Sequence, residues 1–175
     1  MTQRGPGRGV LAVVLGVAVV GVALDQTSKA LVLTYLKPGR VVPLAGDLLT
    51  LRLLRNPGAA FSMGTSLTIG LACLAGAVLI AASVFLVPRV RTTSWAIAVG
   101  LGLAGVAGNF IDRLVRSPGP FRGEVIDFFS LKYFAVFNVA DMCLTTAAVL
   151  VIVLSLVVKI DLNGQRPARV AVPAE

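Results

Sequence analysis

Four long apolar runs alternate with polar connections along the chain. With their helical continuations they cover about residues 10–35, 65–87, 95–113 and 134–158. Each is long enough, or nearly so, to cross a hydrocarbon layer of about 30 Å as a helix, and backbone in lipid must satisfy its own hydrogen bonds. The pattern therefore predicts an all-α membrane protein with four transmembrane helices.

The first apolar run fits two kinds of segment. Arg4 and Arg8 precede it and small residues end its apolar core, a combination that is also typical of a cleaved secretory signal. Three further runs follow, however, and the helical pattern continues through Asp25 to Tyr35. We therefore interpret this run as an uncleaved first helix.

Two longer connections lie on the same side of the four predicted spans. In the connection at about 37–64, residues 41–44 and 48–54 are typical of short strands, which predicts a small sheet lying on the membrane surface. In the second connection, Ser-Pro-Gly-Pro at 117–120 excludes a regular helix. The tail at about 161–175 is polar and rich in Pro, Gly and Arg, which predicts disorder.

Composition supports the membrane assignment and removes several chemistries. The chain has 175 residues, enough for one domain, and is 57% hydrophobic but only 14% charged. Soluble domains are about 45–50% apolar and about 25% charged, so the apolar excess requires lipid. The absence of histidine excludes Ser-His-Asp triads, HExxH zinc sites and histidine-ligated haem. Cys73 and Cys143 lie inside apolar runs, and we interpret them as small hydrophobic residues.

The net charge of +8 comes from basic residues scattered through the connections. This distribution favours contacts with anionic lipids and a role in membrane topology over nucleic-acid binding. Four spans place both termini on one side, but the 16 basic residues divide almost evenly between the two sides. Arg89 and Arg91 lie in the very short connection between the second and third spans, and they favour cytoplasmic termini.

The few acidic residues are the first candidates for chemistry, since ionisable groups at membrane depth are costly. Of the eight acids, Asp47, Asp161 and Glu175 fall in loops or the tail, where we expect solvated charges. Asp25 and Lys29 are four residues apart and share a helix face. They are either an ion pair at the end of the first span or a pair that orients part of a site.

Two segments share the spacing Asn-x-x-Asp. Asn109, Asp112 and Arg113 form one polar face that ends the third span, either at the headgroups or in a site. Asn138 and Asp141 repeat the spacing near the start of the fourth span. We expect Asp141 about two turns inside that helix, where an unpaired carboxylate costs about 2.5–3.5 kcal/mol. This cost favours a functional role for Asp141.

Asp127 is a further candidate, because it lies in an apolar stretch just before the fourth span. Two carboxylates in one low-dielectric site share a proton, so one acts as base on a water while the other polarises a carbonyl. This chemistry needs neither histidine nor metal. Spacing alone leaves Asp112 as a rival to Asp127.

A Ser-Lys hydrolase is disfavoured, because adjacent Ser28 and Lys29 do not face each other on a helix.

Two further classes of protein remain open at this point. A small proton-coupled carrier also places Asp and Asn at membrane depth, although no internal repeat is evident. A non-catalytic membrane scaffold explains the apolar mass but not the repeated Asn-x-x-Asp. Replacing Asp127 or Asp141 by Asn discriminates a protease from a scaffold, because a protease then loses cleavage and a scaffold is indifferent to the change.

Five short blocks, in order, make the chain resemble the lipoprotein signal peptidases (signal peptidase II). Each lies at the family's position relative to four spans, and together they extend over about residues 10–158. The blocks are Asp25-Gln-Thr-Ser-Lys29, Asn56-Pro-Gly-Ala-Ala-Phe-Ser62, Gly108-Asn-Phe-Ile-Asp-Arg113, Val125-Ile-Asp-Phe128 and Phe137-Asn-Val-Ala-Asp141.

The resemblance implies an aspartic endopeptidase of the bacterial inner membrane that uses no metal or cofactor. Its substrates are prolipoproteins, cut on the amino side of a diacylglyceryl-modified cysteine. Block by block, Asp127 and Asp141 match the catalytic pair, Asp25 and Lys29 match supporting positions, and the site-lining residues are Asn56, Gly58, Asn109, Asp112, Arg113 and Asn138. The resemblance also implies cytoplasmic termini and a site near the outer face. We expect a monomer that contacts membrane lipids.

Overall fold

The computed structural model describes residues 7–58 and 68–165. Its helices are α1 (Arg8–Tyr35), α2 (Thr68–Ala81), α3 (Thr93–Val115) and α4 (Val139–Ile152). A π-helical turn extends α4 through Val153–Val157. A π-helical turn and a short 3₁₀ turn extend α2 as far as Arg89. In the described part of the chain, four helices are therefore long and apolar enough to cross a membrane.

Helix α3 packs against the other three helices and is the most buried of the four. Small residues allow its backbone to approach the neighbouring helices closely, as is common between membrane helices. A Cβ on Gly105 would lie 2.5 Å from the carbonyl oxygen of Ala140 in α4, and one on Gly100 would lie 2.8 Å from the carbonyl oxygen of Val14 in α1. The close contacts bring the polar ends of α1, α3 and α4 together at one level.

A four-stranded antiparallel sheet joins the helices at that end of the bundle. Its strands pair in the order β1 (Val41–Ala45), β2 (Leu49–Asn56), β3 (Val125–Leu131) and β4 (Val136–Phe137). Leu54 in β2 lies opposite Asp127 in β3. Because paired residues share a face of a sheet, the end of β2 and the middle of β3 present their side chains to the same space.

The predicted helices and small sheet are present, but the term all-α describes the chain only loosely. The sheet also takes β3 from the connection before the fourth span, for which the sequence predicts no regular structure, and β4 from the predicted start of the fourth helix. This changes the start of the fourth helix. Residues 136–137 pair with β3, so α4 begins at Val139, five residues after the expected start. Residues 59–67, which include part of the Asn56–Ser62 block and the expected start of the second helix, lie outside the described residues.

The tail differs from its prediction where it is described. The Asp161 carboxylate accepts backbone hydrogen bonds from Asn163 at 3.0 Å and Gln165 at 2.8 Å, and the Leu162 carbonyl accepts one from Arg91 at 2.9 Å. Residues 161–165 thus form an ordered turn against the connection between α2 and α3. The rest of the predicted disordered tail lies outside the described residues.

Candidate active site

Two aspartates from different elements line one cavity at the junction of helices and sheet. The cavity has a volume of about 280 Å³, and Asp127 in β3 and Asp141 in α4 both form part of its wall. The end of β2, the polar end of α3 and residues 134–137 supply most of the remaining lining. The full lining is Asn56, Gly58, Asn109, Arg113, Val125, Asp127, Phe134, Ala135, Val136, Phe137, Asp141 and Thr145.

Asp127 is almost fully buried and accepts a hydrogen bond on each oxygen. Asn56 donates to Oδ2 at 3.0 Å, and Asn138 donates to Oδ1 at 2.6 Å. The pKa of Asp127 is raised to about 6, chiefly by burial and also by the charge of Asp141, while the two amide donors and the charge of Lys29 act in the opposite direction. Asp127 is therefore a carboxyl group that holds a proton up to mildly acidic pH.

Asp141 lies in the first turn of α4, not two turns inside the helix as the sequence predicted. Asn138 is the N-cap and accepts a hydrogen bond from the Asp141 backbone, while Asp141 Oδ2 accepts one from the Asn138 backbone, each at 3.0 Å. This reciprocal pair is a capping box, and the positive end of the helix dipole stabilises a carboxylate there. The expected cost of a carboxylate deep in lipid does not arise at this position.

The orientation of Asn109 follows from its neighbours. Lys29 Nζ lies 3.0 Å from one terminal atom of the Asn109 amide, and an ammonium group only donates, so that atom is the oxygen. The amide nitrogen therefore points to Asp141 Oδ1, 2.9 Å away. Asn138 also donates to the Asn109 oxygen, at 3.1 Å.

The other two asparagine amides are anchored in the same way. Backbone N–H groups donate to their oxygens, from Gly58 to Asn56 at 3.1 Å and from Asp141 to Asn138 at 3.0 Å. Each amide nitrogen is thereby directed at a carboxylate. All four carboxylate oxygens of the pair thus accept one N–H donor each, and each keeps acceptor capacity for a proton or a water.

Behind the cavity wall lies an ionic network whose centre is fully buried. Lys29 Nζ contacts Asp25 Oδ2 at 2.8 Å and Asp112 Oδ2 at 2.7 Å, and none of these side chains is exposed. Arg116 Nε adds a bond to Asp112 Oδ1 at 2.6 Å, so two cations balance two carboxylates. Gln26 bridges Asp25 and Asp112 at 3.1 and 3.3 Å. The network joins α1 to α3 and holds Lys29 beneath the site.

Asp112, the rival candidate, belongs to this network. Besides Lys29 and Arg116, it accepts the backbone N–H of Ile126 at 3.3 Å, next to Asp127. Among the described residues that line the cavity, Asp112 does not occur. Its contacts are those of a group that fixes the position of β3. Asp25 does the same for α4 through the backbone N–H of Ala140, at 2.9 Å.

Arg113 connects α3 to the end of β2. Its Nη2 donates to the Gly58 carbonyl at 3.1 Å and its Nη1 to the Asn109 carbonyl at 3.2 Å. The side chain is buried, and its Nε–H has no hydrogen-bond partner among the described residues. The cavity wall therefore includes a cation beside the two carboxylates.

The structure brings every sequence-predicted site residue into the cavity wall or the adjoining network. Sequence reasoning missed Gln26 and the aromatic wall formed by Phe134 and Phe137. The sequence predicts that this aromatic pair belongs to the fourth helix, and that prediction does not place it beside the carboxylates. Within residues 7–58 and 68–165, no group of three or more histidine, cysteine, aspartate or glutamate side chains is arranged to hold a metal ion.

Comparison with known proteins identifies relatives of this chain. A family model described as signal peptidase (SPase) II, Peptidase_A8, matches residues 17–157. The lipoprotein signal peptidase of Mycobacterium avium (strain 104) is 44% identical over 156 residues, which cover 88% of this chain and 83% of the relative. The lipoprotein signal peptidase of Mycobacterium tuberculosis (strain H37Rv) is 43% identical over 148 residues, covering 83% of this chain and 72% of the relative.

Two solved structures share the fold. Both are described as a bacterial membrane enzyme studied by the in meso method, at 2.3 Å and 1.9 Å resolution. Each is 28% identical and covers 89% of this chain, with TM-scores of 0.75 and 0.73. The match covers 93% of the first chain and 98% of the second.

Proposed function

The chain belongs to the signal peptidase II family, and we propose that Asp127 and Asp141 are its catalytic pair. Members of this family are membrane aspartic peptidases that process prolipoproteins, and this chain is such an enzyme. It removes the signal peptide on the amino side of the lipid-modified cysteine. The observation that carries the assignment of the pair is that both carboxylates line one cavity and each accepts an asparagine amide.

The two aspartates have different roles in this proposal. Asp127, with its raised pKa, carries the proton and donates it toward the oxygen of the scissile carbonyl. Asp141, at the start of α4, is the base that takes a proton from the attacking water. The tetrahedral intermediate then collapses as a proton passes to the leaving nitrogen. This division of labour is the one that aspartic peptidases use.

The remaining residues orient these groups. Asn56, Asn109 and Asn138 hold the carboxylates, and Lys29 with Asp25 and Asp112 supports Asn109 and β3 from behind. Arg113 holds the turn at Gly58 and forms part of the cavity wall. This pre-organisation is important because aligned donors and acceptors contribute much of the rate of an enzyme.

The membrane arrangement of the enzyme is part of the same proposal. The chain lies in the bacterial cytoplasmic membrane as a monomer, with both termini in the cytoplasm and the sheet and site near the outer face. The signal helix of the substrate reaches the cavity from the lipid. The apolar, outward-facing sides of the helices support contact with membrane lipids on all sides.

Cleavage of a defined substrate tests the catalytic pair. The purified chain is mixed with a diacylglyceryl-modified prolipoprotein, and the products are identified by mass spectrometry. We expect the wild type to cut before the lipidated cysteine and Asp127→Asn and Asp141→Asn to be folded but at least about 10³-fold slower, as for loss of a general acid or base.

Asp112→Asn distinguishes the rival assignment. Asp112 acts only through β3 in this proposal, so its variant keeps measurable cleavage wherever it folds. If Asp112→Asn is folded and inactive while Asp127→Asn still cuts, the catalytic pair is misassigned. A folded wild type that cuts no prolipoprotein contradicts the function itself.

A further inference from the structure

A second cavity adjoins the active site along α4. It has a volume of about 360 Å³ and shares Asp141, Phe134, Phe137 and Thr145 with the catalytic cavity. From there it follows the outer side of α4, where Met142 and Thr146 complete its wall, and Leu131 closes it at the end of β3. We call this cavity the α4 groove.

The walls of the α4 groove suit an acyl chain and its ester. Leu131, Phe134, Phe137 and Met142 are apolar, and Phe134 and Met142 are 62% and 48% exposed. Apart from Asp141, the groove contains no charged side chain among the described residues that line it. The hydroxyls of its two threonines can donate hydrogen bonds to carbonyl oxygens such as those of glyceryl esters.

We propose that the α4 groove holds one acyl chain of the diacylglyceryl group during cleavage. The proposal rests on the proposed function, because it takes the lipid-modified cysteine as the residue next to the scissile bond. That cysteine's lipid begins only a few bonds from the carbonyl that the aspartates attack. The α4 groove shares Asp141 with the catalytic cavity and continues from it with apolar walls, so it offers the lipid a path out of the site.

The groove contributes position more than affinity. An acyl chain is surrounded by apolar groups in the groove and equally in the bilayer, so moving it between them gains little hydrophobic free energy. A chain seated against α4 does, however, fix where the cysteine lies along the helix. Correct placement of the scissile bond is what accelerates the reaction, and small displacements are costly. The groove thus sets the register of the substrate and selects lipid-modified cysteine.

The test compares two substrates and two variants in nanodiscs of phosphatidylethanolamine and phosphatidylglycerol. The substrates are one prolipoprotein carrying two palmitoyl chains and the same prolipoprotein carrying two butyryl chains. Met142→Trp fills the groove. Ile152→Trp is the matched control, since Ile152 is 54% exposed on the same helix and about 15 Å along it from Met142.

We expect Met142→Trp to lower kcat/KM for the palmitoyl substrate by about tenfold or more and to leave the butyryl substrate within about twofold of wild type. Ile152→Trp leaves both substrates unchanged. Equal losses on both substrates mean that the groove holds peptide instead of lipid, and no loss on either means that it holds nothing; both results overturn the proposal. A wild type that cuts neither substrate overturns the proposed function instead.

Crosslinking tests the occupant directly and does not depend on how the tryptophan variants fold. The substrate carries a diazirine in the middle of one palmitoyl chain and is bound to Asp127→Asn, which holds it uncut. Illumination is expected to join the chain to Phe134, Met142 or Thr146, read by mass spectrometry of the peptides. Crosslinks confined to α1 or α2 place the chain elsewhere and overturn the proposal.

Discussion

The proton on Asp127 determines the pH range of the enzyme. Because burial raises the pKa of Asp127 to about 6, the acid form is complete well below that pH and is lost as the pH rises through it. In the free enzyme, kcat/KM reports this ionisation. We therefore expect the pH profile of kcat/KM to fall on its alkaline side with a midpoint near 6.

Removing the Asn56 amide moves that midpoint upward. Asn56 donates to the ionised carboxylate of Asp127 and lowers its pKa, so Asn56→Ala stabilises the acid form relative to the carboxylate. We expect the alkaline limb to shift by about one pH unit, since a hydrogen bond to a charged group is worth about 1.5–3 kcal/mol. Asn163→Ala, in the exposed terminal turn, is the control. An unchanged midpoint in Asn56→Ala dissociates this amide from the ionisation of Asp127.

Lys29 is the residue on which the buried network depends. Lys29→Met leaves two carboxylates, Asp25 and Asp112, facing each other without their shared cation. Breaking a buried pair in this way costs about 3–5 kcal/mol, measured as the free energy of unfolding in detergent. Lys132→Met, at an exposed turn, is expected to change it by less than about 0.5 kcal/mol.

A double variant separates charge from packing at Lys29. Lys29→Met with Asp25→Asn removes one negative charge together with the positive one, so the network is again balanced by Arg116 against Asp112. We expect the double variant to recover part of the loss seen in Lys29→Met. The free energies of unfolding of the two single variants and the double variant are compared. If the losses from Lys29→Met and Asp25→Asn simply add in the double variant, the contribution of Lys29 is steric.

Residue contacts divide into those that local spacing predicts and those that it does not. The Asp25–Lys29 pair was accessible from the sequence, because residues four apart share a helix face. The contact of Lys29 with Asp112 joins residues 83 positions apart and depends on how α1 packs on α3. Asn138 and Asp141 show a third case, since one spacing forms a helix cap and supplies the site at the same time.

At the level of elements, strands β1 and β2 were predictable and strands β3 and β4 were not. The hairpin strands flank a turn at Gly46 and Asp47, which marks them in the sequence. Most of β3 is buried, so its run Val125–Phe129 carries no alternation and does not stand out as a strand in its connection. The two residues of β4 adjoin the long apolar run of α4, so their sequence predicts helix. The sheet is completed only because β2 supplies a partner edge for β3.

Close packing of α1, α3 and α4 is the element-scale condition for the site. A Cβ on Gly108 would lie 2.6 Å from the Asp25 carboxylate oxygen and 3.0 Å from the Ala140 Cβ. We expect Gly108→Ala to lower the free energy of unfolding by about 1–3 kcal/mol through overpacking and to lower cleavage, because it pushes on the group that anchors α4.

Gly16→Ala is the matched control for Gly108→Ala. Gly16 is also helical, and a Cβ there meets nothing within 4 Å. Alanine favours a helix over glycine by up to about 1 kcal/mol, so this variant is expected to be as stable as the wild type or more so. Equal effects of the two substitutions mean that Gly108 is not tightly packed against Asp25.

At the scale of the whole molecule, the surface is apolar over the helices and polar at the sheet. Val19, Ile80 and Leu156 are each about two-thirds exposed on three different helices, which is a surface for lipid. The described charges that are paired and buried lie where the helices meet the sheet. This polarity along the bundle axis was visible in the sequence as apolar runs, but the side of the membrane on which the sheet lies was not, because basic residues are divided evenly.

Labelling of single cysteines determines that side. In a chain with Cys73→Ser and Cys143→Ala, Tyr133→Cys reports the sheet end, since Tyr133 is 97% exposed at the turn between β3 and β4. Asn163→Cys reports the exposed turn after α4. With the site near the outer face, a membrane-impermeant maleimide labels Tyr133→Cys in intact spheroplasts and labels Asn163→Cys only after the membrane is opened. The reverse pattern places the site in the cytoplasm, where a signal peptide that has crossed the membrane is out of reach.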